Sequence, residues 1–494
     1  MRPYVAVGAA LAALMLGQTI NRLWSTPDFW LYSAAVKEFA SRPLHPLHPI
    51  LAGGGADPYM NPYTFVLGIV SRESGLDTVD VLAVAGMCNL AALLTGIWVF
   101  TRAVSSKPLA PTLVLVFTLT AWGWAPWRWS GYFNLNSIGS GLPLGSTFAS
   151  ALGLFVLAVF IRWLQTGRWQ QLAFVAAGYS VVLLSHQLTG LWVGLVGLGF
   201  AVGQPHRWTF PSVRNLVLAL GIMATLLLSW PFYSIARLVT SAAGYDSFNA
   251  GTYRGVIMRS ALATPGLVIM CARLRHNRRD PLGLASIAVL AVFVAGWITR
   301  HDSYGRVFPG LILTLHIAMA DWLADRLHAR QRMKPDQRLV ALASSLVVVA
   351  GIAGTATGWI RGVPRALLPA GVADDQRLRS QIEPYTRFGD LIDQGVTVAA
   401  PTDIALAVAG GGAKLIGAPV PTPFVDSNDL RVTDMAAIVD PTTTGAIRIA
   451  LLAKYGCRWL VVRDVAADSM SRSLPGSTVV GTVDGYSVLE LPIT

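Results

Sequence analysis

About eleven apolar blocks, each near the length that the hydrocarbon core of a bilayer demands, fill the first 360 residues of this chain. They lie at roughly 3–22, 79–101, 109–125, 145–163, 170–185, 187–203, 215–233, 255–272, 281–299, 307–324 and 339–360, with the pair around His186 short enough to form one re-entrant hairpin. Soluble cores have no need of apolar runs this long. Charged residues make up only 13% of the 494 residues and the mean hydropathy is +0.53, where a soluble chain carries roughly a quarter charged residues. The pattern predicts an α-helical polytopic membrane protein lying in a lipid bilayer.

The formal net charge of +12 would suit nucleic acid only if the basic residues formed one exposed patch. Here they collect between the apolar blocks, so no nucleic-acid partner is expected. One alternating set of short connections is basic: Arg102 and Lys107; Arg162 and Arg168; Arg207 and Arg214; Arg273, Arg275, Arg278 and Arg279; Arg326, Arg330, Arg332, Lys334 and Arg338. The positive-inside rule puts this set in the cytoplasm. The N-terminus is then inside, and residue 28 and the chain beyond Arg361 are outside. Arginine far outnumbers lysine, and alanine, glycine and valine are abundant, a bias that fits a GC-rich bacterial genome and a bacterial cytoplasmic membrane. The three cysteines, Cys88, Cys271 and Cys457, imply no disulfide framework.

Two stretches depart from the apolar pattern. The segment 23–78, assigned here to the membrane domain 1–360, is long for a connector. Asp28 to Ser41 places Phe29, Tyr32, Val36 and Phe39 at helical spacing, which reads as a helix lying in the membrane interface. A Pro- and Gly-rich stretch with His45 and His48 follows, then a second short apolar segment, Tyr63 to Val70. From about 375 charges return and short strand-like runs alternate with helices, for instance 396–400, 459–462, 477–483 and 486–491. Residues 375–494 are therefore expected to form a small extracytoplasmic α/β domain.

Asp28 is the leading chemical candidate. It stands at a membrane boundary among Trp24, Phe29, Trp30 and Tyr32, where a charge costs little and aromatic rings gather. It reads either as a general base or as a helix N-cap. The order of a span, an external acid, an amphipathic helix with a Tyr, and then an aromatic, Pro-rich element is carried by Asp28-Phe-Trp-Leu-Tyr32 with Ala34-Ala35, and by Asp57-Pro-Tyr-Met-Asn-Pro62-Tyr63. It resembles the GT-C glycosyltransferases, and among them the bacterial branch that uses polyprenyl-phosphate sugars. The resemblance implies a many-span body with a C-terminal external domain, a catalytic acid at Asp28, a polyprenyl-phosphate-sugar donor and a glycan or glycolipid acceptor. No acid-x-acid pair of the kind some branches carry is present, so neither a metal site nor a cofactor is expected.

Other residues could bind substrate. Asp57 is a second acid or a turn former; His45 and His48 either bind a hydroxyl or phosphate or simply pack the loop; Tyr63 belongs to the second aromatic segment. A lipid phosphate needs cations near the outer surface, and arginine bonds two phosphate oxygens at once. Arg128, Arg254, Arg259, Arg300 and Arg306 are the candidates, with His301 and Tyr304 in the polar run 300–306. Arg259 falls within an apolar block and so requires a partner. His186 either lines a cavity or ties helices together. No phosphate-binding GxxxxGK[ST] loop, GxSxG, HExxH or CxxC occurs, so ATP hydrolysis and zinc chemistry have no support. The Gly410-Gly411-Gly412 run reads as a flexible turn. Two other functions compete with an inverting, metal-independent transferase: a flippase for lipid-linked glycans, and a polysaccharide polymerase or ligase of another fold. The first would need repeated halves and polar helices at mid-membrane, and no repeat is seen.

Overall fold

The computed structural model describes residues 1–20, 22, 27–328, 335–363, 367–369 and 383–492. Trp24, the basic residues Arg330, Arg332 and Lys334, the side chain of Arg338 and the first residues assigned to the C-terminal domain lie outside that set. The chain forms two compact units. One comprises Met1–Asn21, Ala85–Trp230 and Tyr245–Arg379; the other comprises Arg22–Val84, Pro231–Gly244 and Ser380–Thr494.

The first unit is helical. Among the described residues seven helices are long and apolar enough to cross a membrane, or eight if Leu342–Gly354 and Ala356–Gly362, bent by 56°, form one broken span. Three further apolar helices are shorter: Ala110–Thr120, Trp169–Ser185 and Gln187–Val202. Every expected apolar block is thus helical, but three fall short of the ~20 residues a full crossing takes. The reason is local at His186, whose extended backbone (φ −160°, ψ 98°) ends one helix and caps the next. Its ring Nδ1 accepts the Thr189 N–H at 3.2 Å. The block expected at 215–233 begins earlier, at Phe210, because Thr209 caps it there and a proline sits in its first turn.

Trp122, Trp127, Trp163, Phe100 and Phe117 fill the core of this unit. Its periphery is apolar too: Phe210–Leu228 buries only Ala219. Gly199 permits a close helix crossing, since a Cβ there would lie 2.2 Å from the Ala285 backbone. Two basic connections meet at one end of the bundle. Lys107 and Arg273 both reach the Asp321 carboxylate, at 3.3 and 3.2 Å, and Arg273 also pairs with Asp280 at 2.8 Å. Asp280 caps the start of helix Pro281–Thr299 by accepting the Gly283 N–H. The far end of that helix closes on Arg300 in a left-handed turn (φ 59°).

The second unit is α/β. Its strands are β1 (Thr397–Ala399), β2 (Lys414–Leu415), β3 (Trp459–Arg463), β4 (Thr478–Val483) and β5 (Tyr486–Glu490), in the order β2-β1-β3-β5-β4. β1 runs parallel to β2 and β3, while β5 is antiparallel to β3 and β4. Asp484-Gly485, both at positive φ, turn β4 into β5 as a two-residue hairpin requires. Helices Asn428–Val439 and Gly445–Tyr455 carry the chain from β2 to β3.

The first long loop belongs to this same unit. Leu51 forms a parallel bridge to Leu415, with Leu415 N–H donating to Ile50 O at 2.7 Å and Ala52 N–H to Leu415 O at 3.0 Å. Leu31, Ala34, Ile50 and Leu51 share one apolar core with Val398, Leu415 and Leu460. The helix expected from Asp28 begins at Pro27, a favoured first position, and runs Pro27–Ser41. Phe29, Tyr32, Val36 and Phe39 are all buried in it, so its apolar face packs on protein. Helix Pro62–Ser74 follows, started by a capping box between Asn61 and Thr64.

Candidate active site

Asp28 lies in the first turn of helix Pro27–Ser41, one residue past its start, so the N-cap position falls outside the described residues. A carboxylate there is favoured by the positive end of the helix dipole. The side chain is half-buried and accepts the Tyr59 hydroxyl at a long 3.5 Å. Tyr32, one turn on from Asp28, meets the Tyr59 ring edge-on at 5.1 Å and the Tyr63 ring at 6.1 Å. The acid thus stands beside a wall of three tyrosines from three elements, each ring fixing its neighbour's rotamer.

Behind Tyr59 sits a buried polar layer. The Asp57 carboxylate accepts the Tyr59 N–H at 2.7 Å, so the Asp-Pro turn is real and also holds Tyr59. Asp57 Oδ2 lies 3.3 Å from His48 Nε2, with both side chains almost fully buried. Burial pushes the Asp57 carboxyl up to about 7, against the Tyr59 hydrogen bond and the Lys414 charge. Burial pushes His48 down to about 3, helped by the charges of Lys414 and Arg431. His48 is therefore neutral near pH 7. Its Nδ1 accepts the N–H groups of Ile50 and Leu51, which leaves the proton on Nε2, facing Asp57. Lys414 closes the layer, donating to Glu38 at 2.7 Å and to the carbonyls of His48 and Pro49.

In the helical unit a separate group forms from arginines and aromatic rings. Arg306 donates to Ser130 O at 2.7 Å and lies over the rings of Trp129 (5.1 Å) and Tyr132 (5.4 Å). Arg259 lies 5.3 Å above Trp127, and this ring is the partner its apolar setting requires. His301 Nδ1 pairs with Asp246 at 2.9 Å, and the Ser303 N–H reaches the same carboxylate. Burial works to raise the Asp246 carboxyl, but those hydrogen bonds outweigh it and hold it below the usual range.

The sequence candidates divide accordingly. Asp28, Asp57, His48 and Tyr63 gather in the α/β unit. Arg259 and Arg306 join the Trp127–Tyr132 loop. His301 pairs with Asp246, and Tyr304 stacks edge-on to it at 5.7 Å. His45, Arg254 and Arg300 are exposed and join neither group, while Arg128 is an exposed member of the Trp127–Tyr132 loop itself. His186 is a helix cap. Sequence reasoning passed over Tyr59 and Lys414. Tyr59 sits within the quoted Asp57–Tyr63 stretch, and Lys414 is one of very few lysines, so each carried a signal. Among the described residues no three His, Cys, Asp or Glu side chains gather as a resident metal would need. The second acid of the loop, Asp57, is already engaged by Tyr59 and His48.

No protein-family model and no curated protein sequence matches the chain. Solved structures do. ArnT from Cupriavidus metallidurans, bound to undecaprenyl phosphate, superposes with a TM-score of 0.56 at 15% identity, over 98% of this chain and 97% of that one. The arabinofuranosyltransferase AftD from Mycobacteria gives a TM-score of 0.59 at 15% identity, over 100% of this chain and 40% of that one. The archaeal oligosaccharyltransferase AglB from Archaeoglobus fulgidus, in complex with an inhibitory peptide and a dolichol-phosphate, gives 0.52 at 12% identity, over 95% and 70%. The chain has the fold of these three proteins, and its own apolar helices are those of a multi-pass membrane protein.

Proposed function

We propose that the chain is a GT-C-type membrane glycosyltransferase. It moves a sugar from a polyprenyl-phosphate donor to a glycan or glycolipid of the cell envelope, at the outer face of the bacterial cytoplasmic membrane. The observation that carries the reading is Asp28: a half-buried carboxylate at a helix start beside Tyr59, in a fold shared nearly end to end with a structure holding undecaprenyl phosphate.

The chemistry needs little more. The acceptor oxygen attacks the anomeric carbon as its bond to the phosphate oxygen breaks, and that electron pair leaves with the phosphate. The acceptor's proton passes to the Asp28 carboxylate, and direct displacement inverts the anomeric centre. Within the helical unit, Arg306 and Arg259 are the proposed ligands of an anionic lipid head group. Each is held by an aromatic face, and Arg306 commits one donor to Ser130, which leaves guanidinium N–H groups for a phosphate. No step calls for a divalent cation, so transfer should survive chelation.

Membranes holding the protein are supplied with undecaprenyl-phosphate-linked arabinofuranose or mannose, with and without EDTA. Transfer from one of them to an extracted envelope acceptor is expected, unchanged by EDTA. Abundant folded protein with no transfer from either would contradict the reading. Orientation is read on intact cells with an impermeant thiol reagent, in the variant lacking the native cysteines: Ser427→Cys is labelled and Asn277→Cys is not.

A further inference from the structure

The glycine run at 410–412 is the feature that neither the sequence reading nor the proposed reaction uses. In the structure it is the seat of the helix that carries Asp28. Helix Ala405–Gly410 ends against Pro27–Ser41, and a Cβ at Gly410 would lie 2.5 Å from the Trp30 ring. Only a bare backbone lets the indole lie there. Ser33 Oγ donates to Gly410 O at 3.0 Å and Lys37 Nζ to Gly411 O at 2.7 Å. Gly412 then turns the chain at φ +111°, a conformation that side chains rarely adopt, and leads into β2, whose Lys414 binds Glu38. A buried ion pair holds the next strand under the same helix.

Helical spacing gives this seat a consequence. Trp30, Ser33 and Lys37 form one stripe, and Asp28 lies about 180° round the helix from its centre. With Asp28 on that far face are Tyr32, against Tyr59 and Tyr63, and Phe39, against Phe65 and Phe232. Gly68 allows the second clamp, since a Cβ there would lie 2.4 Å from Phe39 Cβ. The helix is therefore gripped on two opposite faces, and its rotation fixes where the Asp28 carboxylate points.

We propose that Gly410, Gly411 and Gly412, with Ser33 and Lys37, are a positioning element for the transfer step, through which the C-terminal chain sets the aim of Asp28. The proposal rests on the reading of Asp28 as the base. It is tested on the full-length protein in membranes by Gly410→Ala. The added methyl displaces the Trp30 ring and turns the helix. kcat per folded enzyme should fall by about 10- to 100-fold, the loss expected of a misplacement near 1 Å, with donor KM little changed. Trp30→Leu in the same chain removes the clash and should return much of that kcat. A merely structural seat would lower the amount of folded protein, leave kcat per folded enzyme unchanged and show no such rescue. Should Gly410→Ala not accumulate, Lys37→Met removes one tie and keeps the glycines. A kcat about tenfold down supports the proposal, and wild-type kcat overturns it. The two ideas fail separately. A fully active Asp28→Asn removes the base, whereas an inactive Asp28→Asn beside wild-type kcat in Gly410→Ala or Lys37→Met removes the seat alone.

Discussion

In the α/β unit buried charge is paired, Lys414 with Glu38, both about 95% or more covered, beside a neutral His48 that faces Asp57. In the helical unit the cations proposed for substrate, Arg259 and Arg306, lie instead on aromatic faces and stay partly open. Apolar residues differ in the same sense. Leu460 and Val398 are fully covered within the α/β unit, while Leu218 and Val217 of Phe210–Leu228 are about 60% exposed. One unit obeys the rule of water, apolar inside and polar outside; the other has lipid as its solvent, so an outward leucine is normal. Paired, buried charge holds the shape of one unit, while the arginines of the other stay on aromatic faces and partly open.

The largest stability effect should come from breaking the buried pair. Lys414→Met leaves the buried Glu38 with only the Leu47 N–H and a long 3.8 Å contact to the exposed Arg42, a loss of about 3–5 kcal/mol, and adding Glu38→Leu should recover most of it. Thermal unfolding of the purified protein in detergent reads both. Leu460→Ala opens a cavity and should cost about 2–5 kcal/mol, whereas Leu218→Ala on the lipid side should stay within about 0.5 kcal/mol. Equal losses would erase the contrast between the units.

A smaller effect tests the polar layer through pH. The Asp57 carboxyl is raised from 3.8 to about 7, so its contribution is full below about 4 and fades as pH climbs to about 7. His48 is lowered from 6.5 to about 3, so its contribution is full above about 6.5 and fades as pH falls. The two oppose each other between pH 4 and 6.5. Asp57→Asn removes the first, and its stability relative to wild type should rise with pH across that window. A flat difference would mean that the carboxyl is not raised.

The apolar blocks made the helical unit legible nearly block by block, because a bilayer demands length and apolarity and leaves little else to read. The tail strands around Val398, Trp459, Thr478 and Tyr486 were legible from their alternation and turns. What the sequence hid is docking. A period shows that Phe29, Tyr32, Val36 and Phe39 share a face, but membrane interface and protein core want the same residues there. β2 has two residues and no pattern, so neither the bridge to Leu51 nor the Lys414–Glu38 pair could be foreseen. The glycine run read as a turn because nothing local reports that Trp30 lies against it. At the site, Asp28 and Asp57 stood out by type and place, while the role of Tyr59 depends on a fold-back that sequence spacing does not encode.

In the proposed reaction the carboxylate of Asp28 removes the acceptor's proton. Asp28→Asn keeps the shape of the side chain and removes its charge and basicity, leaving the Tyr32, Tyr59 and Tyr63 rings their contacts. The charge in the first helical turn is worth only about 0.3–1 kcal/mol, so the variant should fold and accumulate. Transfer from the polyprenyl-phosphate sugar, measured per folded protein, should fall by at least about 100-fold. Transfer by Asp28→Asn near the wild-type rate would contradict the account and leave the acid as part of the helix start alone.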